Sequence, residues 1–292
     1  MKEKFTRTNM IIATLLLALA AFFLRLSQLS FAFDENGMAT GKGILFFSVI
    51  TVLAVLAFGL YSRSLKSRKR YNAIAGNGVV EMALGAAAAF LMIVAGITLL
   101  MNRVQQGDKL VAFGSILVGI CWGATAAGRF FGTKIPAPLF MIPSAFYVVD
   151  LVCRFRFWTR DPLIIDYCYD LFALISIMCA TFHLGGFCFD KGARRMTTFF
   201  CLCGVFFSAA AMVKTSAASV YGYMAAILWL FANLWLLLRP SRKREEEEID
   251  EPAEEPAEPA EEADEPAETE EIAENEEEIE ENEETEGAGD LL

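Results

Sequence analysis

Long uninterrupted apolar runs constrain this chain more than any other feature of its sequence. A helix needs roughly 20 residues to cross a bilayer core of about 30 Å. Apolar stretches of about that length, bounded by charged or turn residues, lie at approximately 9–31, 44–61, 79–101, 110–127, 137–153, 163–187, 196–213 and 219–238. Runs such as 11–24 and 225–238 are apolar on every face, unlike the alternating strands of a barrel. The sequence therefore predicts an all-α fold, a polytopic transmembrane helical bundle of about eight spans.

Charge divides the chain into two regions. All 25 Lys and Arg and only ten of the 36 Asp and Glu lie in residues 1–244, whereas residues 245–292 hold 26 acidic residues and no basic one. This tail repeats Glu, Pro and Ala and has almost no large apolar side chain to bury, which is typical of disorder. We therefore predict a transmembrane helical domain at 1–240 and a disordered acidic Glu/Pro/Ala-rich cytoplasmic tail at 241–292.

The distribution of basic residues among the predicted loops indicates the orientation of the bundle. Lys and Arg near span ends are retained on the cytoplasmic side of a membrane. Alternate loops, counted from the amino terminus, hold 17 Lys and Arg, and the other loops hold eight. We predict a multi-pass protein of the plasma membrane with both termini cytoplasmic. The first span could instead be a signal peptide cleaved after Ser30, Phe31 and Ala32, which would leave seven spans.

The loop after the second span is strongly basic, and the tail is its opposite in charge. The basic residues of this loop are Arg63, Lys66, Arg68, Lys69 and Arg70. They orient the protein and attract anionic lipid headgroups, at about 1 kcal/mol for each charge close to the surface. The acidic tail is interpreted as a solvated, self-repelling segment. The alternative is that it binds this loop, divalent cations or a basic protein partner through screened charge attraction. No feature predicts nucleic-acid binding.

Ionisable residues inside apolar spans are costly and normally face protein or water, so they are the strongest indication of a functional site. In the sixth span, helical periodicity groups polar and small residues within roughly 140° of arc. The members of this group are Asp166, Tyr169, Asp170, Ala173, Ser176, Ala180 and His183, opposite Leu171, Ile175, Met178 and Phe182. We predict that the polar face lies inward. The candidate ligand- or ion-binding residues are Asp166, Tyr169, Asp170, Ser176 and His183.

Two interpretations of Asp166 and Asp170 remain open. Carboxylates held close together raise each other's proton affinity, so they could share a proton or bind a cation. Alternatively, preceding arginines neutralise the acids as a structural clamp. Those arginines are Arg154, Arg156 and Arg160. They alternate with aromatic residues over 154–162, as in an external interfacial loop, and could instead contact a small anion.

The remaining polar and small residues suggest simpler roles. His183 is the only histidine, so we predict no metal site and no cofactor, and we interpret it as a hydrogen-bonded residue with a proton relay as the alternative. Glu81 is expected to cap the third span or to pair with a basic loop residue. The spacing of Gly119 and Gly123 predicts close packing between the third and fourth spans, with dimerisation as the alternative.

These features favour one class of function over another without identifying a substrate. The first hypothesis is a small permease, a channel-like protein or a solute or ion sensor that uses the polar face of the sixth span. The alternative is a non-catalytic membrane scaffold or assembly factor that acts through its acidic tail and its external aromatic-basic loop. Enzymatic activity is not predicted, because the chain contains no hydrolase, metalloprotease or dinucleotide-binding motif.

Overall fold

The fold is a bundle of helices, known here from a computed structural model that describes residues 2–31, 41–71, 74, 78–102, 106–158 and 167–239. Its α-helices are α1 (Lys2–Phe31), α2 (Gly41–Ser64), α3 (Val79–Asn102), α4 (Gln106–Phe131), α5 (Pro138–Trp158), α6 (Cys168–Gly186), α7 (Arg194–Ala211) and α8 (Ala217–Leu237). No strand occurs among these described residues. The predicted all-α fold is confirmed. The acidic tail lies outside the described residues.

Seven of the eight described helices are long and apolar enough to cross a membrane, and α7 is the exception. The chain is therefore a multi-pass helical membrane protein. Helix α7 begins with Arg194 and Arg195 and packs against α1, α2, α6 and α8. Fourteen of its 18 residues are buried. Because neighbouring helices cover most of its surface, α7 can carry Thr and Ser side chains that lipid would not favour.

Helices α3 and α4 approach each other closely through glycine. A Cβ atom at Gly96 of α3 would lie 2.8 Å from the carbonyl oxygen of Ala112, and one at Gly119 of α4 would lie 2.9 Å from that of Ala89. Contacts this short between a side chain and a neighbouring backbone require residues without a Cβ. The predicted packing between the third and fourth spans is confirmed, and α3 also packs extensively against α8.

Replacing Gly119 by alanine is expected to destabilise the bundle. The new methyl would meet both Ile93 and the backbone of Ala89, and such overpacking typically costs about 1–3 kcal/mol. The matched control is Gly222→Ala in α8, where nothing lies within 4 Å of the added Cβ and helix propensity favours alanine by about 1 kcal/mol. Thermal unfolding in one detergent should give a lower Tm for Gly119→Ala and an unchanged or higher Tm for Gly222→Ala. Equal Tm values would contradict the close approach.

The boundary between the fifth span and the following loop differs from the prediction. The sequence placed the span end at 153 and put the arginines beyond it in a loop, but α5 continues to Trp158. Arg154 and Arg156 therefore lie on the last turns of a helix. The reason is local, because Arg154 pairs with Asp150 one turn earlier and such a pair stabilises the helix. Arg160 lies outside the described residues.

Helix α6 presents its polar face to the bundle, as predicted. Its buried residues include Tyr169, Asp170, Ala173, Ser176 and Ala180. Asp170 is 8% exposed, whereas Phe182 on the opposite side is 54% exposed. The helix begins at Cys168, later than predicted, and Asp166 lies outside the described residues. Asp170 is thus the acid of the predicted pair whose surroundings the structure describes.

Candidate functional site

Two groups of buried polar side chains lie at different levels of the bundle. The Arg154 cluster contains Asp150, Arg154, Asp170 and Tyr223. The Arg129 cluster contains Glu81, Trp122, Arg129, Trp229, Asn233 and Arg239. Helix α8 contributes to both, and Tyr223 and Asn233 are about 15 Å apart along its axis at 1.5 Å per residue. We refer to the two levels as the Arg154 end and the Arg129 end.

The Arg154 cluster connects three helices through one chain of hydrogen bonds. Arg154 of α5 donates from Nε to Asp150 Oδ1 at 2.9 Å and from Nη1 to the hydroxyl of Tyr223 at 3.3 Å. Tyr223 of α8 donates in turn to Asp170 Oδ1 of α6 at 2.7 Å. Two carboxylates and one guanidinium therefore share a single network, and Tyr223 is the residue that connects them.

A second arginine lies beside this network on α1. The buried guanidinium of Arg25 lies 4.8 Å from the ring centroid of Tyr169 and donates to Gln28 Oε1 at 2.7 Å. Arg25 also interacts electrostatically with Asp170. With Arg154, it balances the charges of the two acids. Arg25 falls within the predicted first span, where an ionisable residue is a signal of a buried polar contact that a count of loop charges does not use.

The hydroxyl of Tyr147 is buried one turn before Asp150 and has no hydrogen-bond partner among the described residues. Removing an unpaired buried hydroxyl relieves its desolvation cost, so Tyr147→Phe should leave the free energy of unfolding unchanged or raise it by up to about 1 kcal/mol. The matched control is Tyr223→Phe, which leaves Asp170 without its donor and should lower that free energy by about 1–3 kcal/mol. Denaturant titration of both variants in detergent compares them. Equal effects would contradict the hydrogen bonding described here.

The other predicted site residues are dispersed. Ser176 faces α7, where a Cβ at Gly204 would lie 3.7 Å from the serine Cβ. His183 is half-buried and stacks on Phe200, with ring centroids 5.5 Å apart and planes at 13°. It lies about 20 Å from Asp170 along the helix axis at 1.5 Å per residue. Arg156 is exposed on the last turn of α5. The structure thus joins Asp170 and Arg154 and separates them from His183.

The Arg129 cluster joins α3, α4 and the carboxyl end of α8. Arg129 donates from Nη2 to Asn233 Oδ1 at 2.6 Å, and its guanidinium carbon lies 5.4 Å from the ring centroid of Trp229. Arg239 donates to the carboxylate of Glu81. The predicted pairing of Glu81 with a base is confirmed, and the base follows α8. The charge rule treats Arg129 as a loop charge, although Asn233 inside an apolar run is a signal of a buried polar partner.

The loop between α2 and α3 is held against the Arg129 end by hydrogen bonds to its backbone carbonyls. The amide of Gly192 donates to the carbonyl of Lys69 at 3.0 Å, and Arg194 Nη1 donates to the carbonyl of Lys66 at 3.4 Å. Arg194 also donates from Nε to the carbonyl of Leu237 at the end of α8, at 2.7 Å. Burial, reinforced by the charge of Arg68, lowers the pKa of Arg194 to about 10, so it remains protonated near neutral pH. The exposed Lys and Arg side chains around these connections form a surface that we call the basic surface. It is defined as Arg63, Lys66, Lys69, Arg70, Lys191 and Arg195.

Comparison with known proteins indicates no function for this chain, so the function has to be inferred from the site. No protein-family model, curated protein or solved structure matches the chain. Within the described ranges, no group of three or more His, Cys, Asp and Glu residues is placed to hold a metal ion. The Arg154 cluster offers carboxylates, guanidinium groups and a phenol in a buried network, which can exchange a proton or exchange an internal partner for a polar ligand.

Proposed function

We propose that the protein is a small permease or a solute- or ion-responsive membrane protein whose polar site is the Arg154 cluster. The observation that carries this proposal is Asp170, a buried carboxylate of α6 bonded across the bundle to Tyr223 of α8. Ionisable residues within membrane spans are costly, and they commonly line ion, proton or solute pathways. The proposal therefore assigns the ion or solute contact to Asp170.

Exposure within the cluster suggests the direction of access. The side chain of Arg154 is 24% exposed and that of Asp150 is 4% exposed, so a polar ligand reaches Arg154 before it reaches the acids. A ligand or proton that competes for Tyr223 or Asp170 breaks the bond between α6 and α8. Because this bond joins the two helices directly, breaking it changes their contact. In a sensor this change in helix contact is the signal, and in a permease it opens a gate.

The proposal includes an orientation in the plasma membrane with the Arg129 end and both termini in the cytoplasm. Hydrogen bonds bring the loops 63–71, 129–135 and 189–195 together at that end, and these loops are rich in Lys and Arg. Basic residues are retained on the cytoplasmic side. The basic surface then faces the inner leaflet, where anionic lipid headgroups are its proposed partners.

Flux measurements test the role of Asp170. The purified full-length protein is reconstituted into liposomes that contain a pH-sensitive dye, and proton and sodium gradients are imposed separately. Asp170→Asn should abolish a flux that the unaltered protein supports. The matched control is Asp190→Asn, which removes an exposed carboxylate but keeps the acceptor oxygen for the amide of Tyr71. A folded and inserted Asp170→Asn protein whose flux is undiminished would contradict the proposal.

A scaffold or assembly factor is the second candidate, and the internal pairing of the Arg154 cluster favours it. Arg154 bonds both Asp150 and Tyr223, which is the arrangement expected of a structural clamp rather than an open site. In this case the acidic tail and the aromatic-basic residues of 154–162 bind other proteins. Deleting residues 245–292 should then abolish association with a basic protein partner, whereas a permease should keep its flux after the same deletion.

A further inference from the structure

We propose an anion-binding site at the Arg129 end, between α3, α4 and α8, which takes a small monovalent anion such as a halide or a carboxylate. The site consists of the guanidinium of Arg129 and the indole N–H groups of Trp122 and Trp229. The site is separate from the Arg154 cluster, so its test is independent of the test of the function proposed above.

Unpartnered hydrogen-bond donors are the first observation. Arg129 is 3% exposed, and its Nε and Nη1 have no hydrogen-bond partner among the described residues. The same holds for the buried Nε1 atoms of Trp122 and Trp229. Buried polar groups are nearly always satisfied, and each exception requires an explanation. Four donor atoms without acceptors indicate a ligand rich in lone pairs.

The donors belong to one continuous stack of side chains. The rings of Trp122 and Trp229 stack with centroids 5.0 Å apart and planes at 9°, and the guanidinium of Arg129 lies over Trp229. Asn233 is bonded to the Nη2 atom of Arg129 and to the carbonyl oxygen of Trp229. This amide therefore fixes the guanidinium and leaves Nε and Nη1 for another acceptor.

Excess positive charge is the second observation, and it distinguishes an anion from a water molecule. Glu81 is the carboxylate of the cluster, and it faces two guanidinium groups, those of Arg129 and Arg239. The other titratable groups close to Arg129 are Tyr71 and Cys188, a phenol and a thiol rather than carboxylates. The cluster thus has a net charge of +1, with the guanidinium of Arg129 buried and that of Arg239 36% exposed. The positive potential at the buried donors favours an anion, because a neutral water molecule would leave that charge uncompensated.

The charge and the donor set together define the class of ligand. One excess positive charge is neutralised by one monovalent anion. Among the described residues, the unpartnered buried atoms of the Arg129 cluster are four donors and one acceptor, Glu81 Oε2, so the set favours an anion over a cation. Arginine and indole N–H groups both bind halides and carboxylates through charge-assisted or neutral hydrogen bonds. A free inorganic anion and the carboxylate of a small solute share this chemistry.

Thermal unfolding in different sodium salts tests the site. The full-length protein in detergent is unfolded at constant ionic strength in the sodium salt of a bulky sulfonate (MES), in chloride, in bromide or in formate. A ligand that binds only the folded state raises Tm, so chloride, bromide or formate should raise Tm above its value in the sulfonate, which is too large for the site and carries no carboxylate. Arg129→Gln should abolish this dependence, whereas Lys191→Gln, which removes an exposed charge from the same end, should keep it. A wild-type Tm that is identical in all four salts would overturn the proposal.

Fluorescence provides a second measurement that does not depend on the folding of an arginine variant. The chain has four tryptophans, and replacing Trp158 and Trp235 by phenylalanine leaves Trp122 and Trp229 as the reporters. Bromide should then quench them saturably, and formate should compete with bromide. Trp122→Phe in this background removes one donor without changing the charge and should weaken bromide binding about tenfold, as the loss of one hydrogen bond to an ion does. Linear, unsaturable quenching without competition contradicts the site.

Discussion

Glu81→Gln should be among the most destabilising single substitutions in the bundle. It removes the carboxylate that faces both Arg129 and Arg239. Breaking a buried ion pair by removing one partner costs about 3–5 kcal/mol, because the other charge stays buried without compensation. The lower part of this range is expected, since the side chain of Arg239 is 36% exposed and can turn to solvent. Denaturant titration in detergent measures the loss.

A double variant shows whether charge causes the effect. Glu81→Gln combined with Arg129→Gln removes both buried charges and should recover part of the lost free energy of unfolding, as double-mutant cycles detect for interacting pairs. A single Glu81→Gln variant as stable as the exposed control Asp190→Asn would contradict this account.

Arg154→Met should have an effect of similar size at the other end of the bundle. The substitution keeps a long apolar side chain but leaves Asp150, whose side chain is 4% exposed, without its guanidinium. It also removes the donor that contacts the Tyr223 hydroxyl. We expect a loss of about 3–5 kcal/mol in the free energy of unfolding, measured by the same titration. Lys191→Met, at an exposed position before α7, should change it by no more than about 0.5 kcal/mol.

The double variant Asp150→Asn with Arg154→Met distinguishes a clamp from simple packing. If the two charges stabilise each other, the double variant should be more stable than Arg154→Met alone, because no buried charge remains at that position. Additive losses would mean that the two side chains act separately. The outcome also bears on function, since a folded double variant allows flux or partner binding to be measured without the ion pair.

Helix positions and faces were predictable because they depend on local sequence. A span is recognised from about 20 consecutive apolar residues, and the buried face of α6 follows from a period of about 3.6 residues. The same local logic predicted that Gly119 faces a neighbouring helix. It failed at the end of α5, where a pair between Asp150 and Arg154 extends the helix beyond the apolar run.

The partners of the buried charges depended on how the helices rotate and cross. Nothing local indicates that Arg129 bonds Asn233, or that Arg154 approaches Tyr223, because each pair is far apart in sequence. The charge rule treats every arginine near a span end as exposed, whereas packing buries Arg25 and Arg129. The sequence alone determined an all-helical membrane bundle and the inward face of α6. Only the tertiary structure decided which charges meet, since the relative rotation of the helices selects the partners of each side chain.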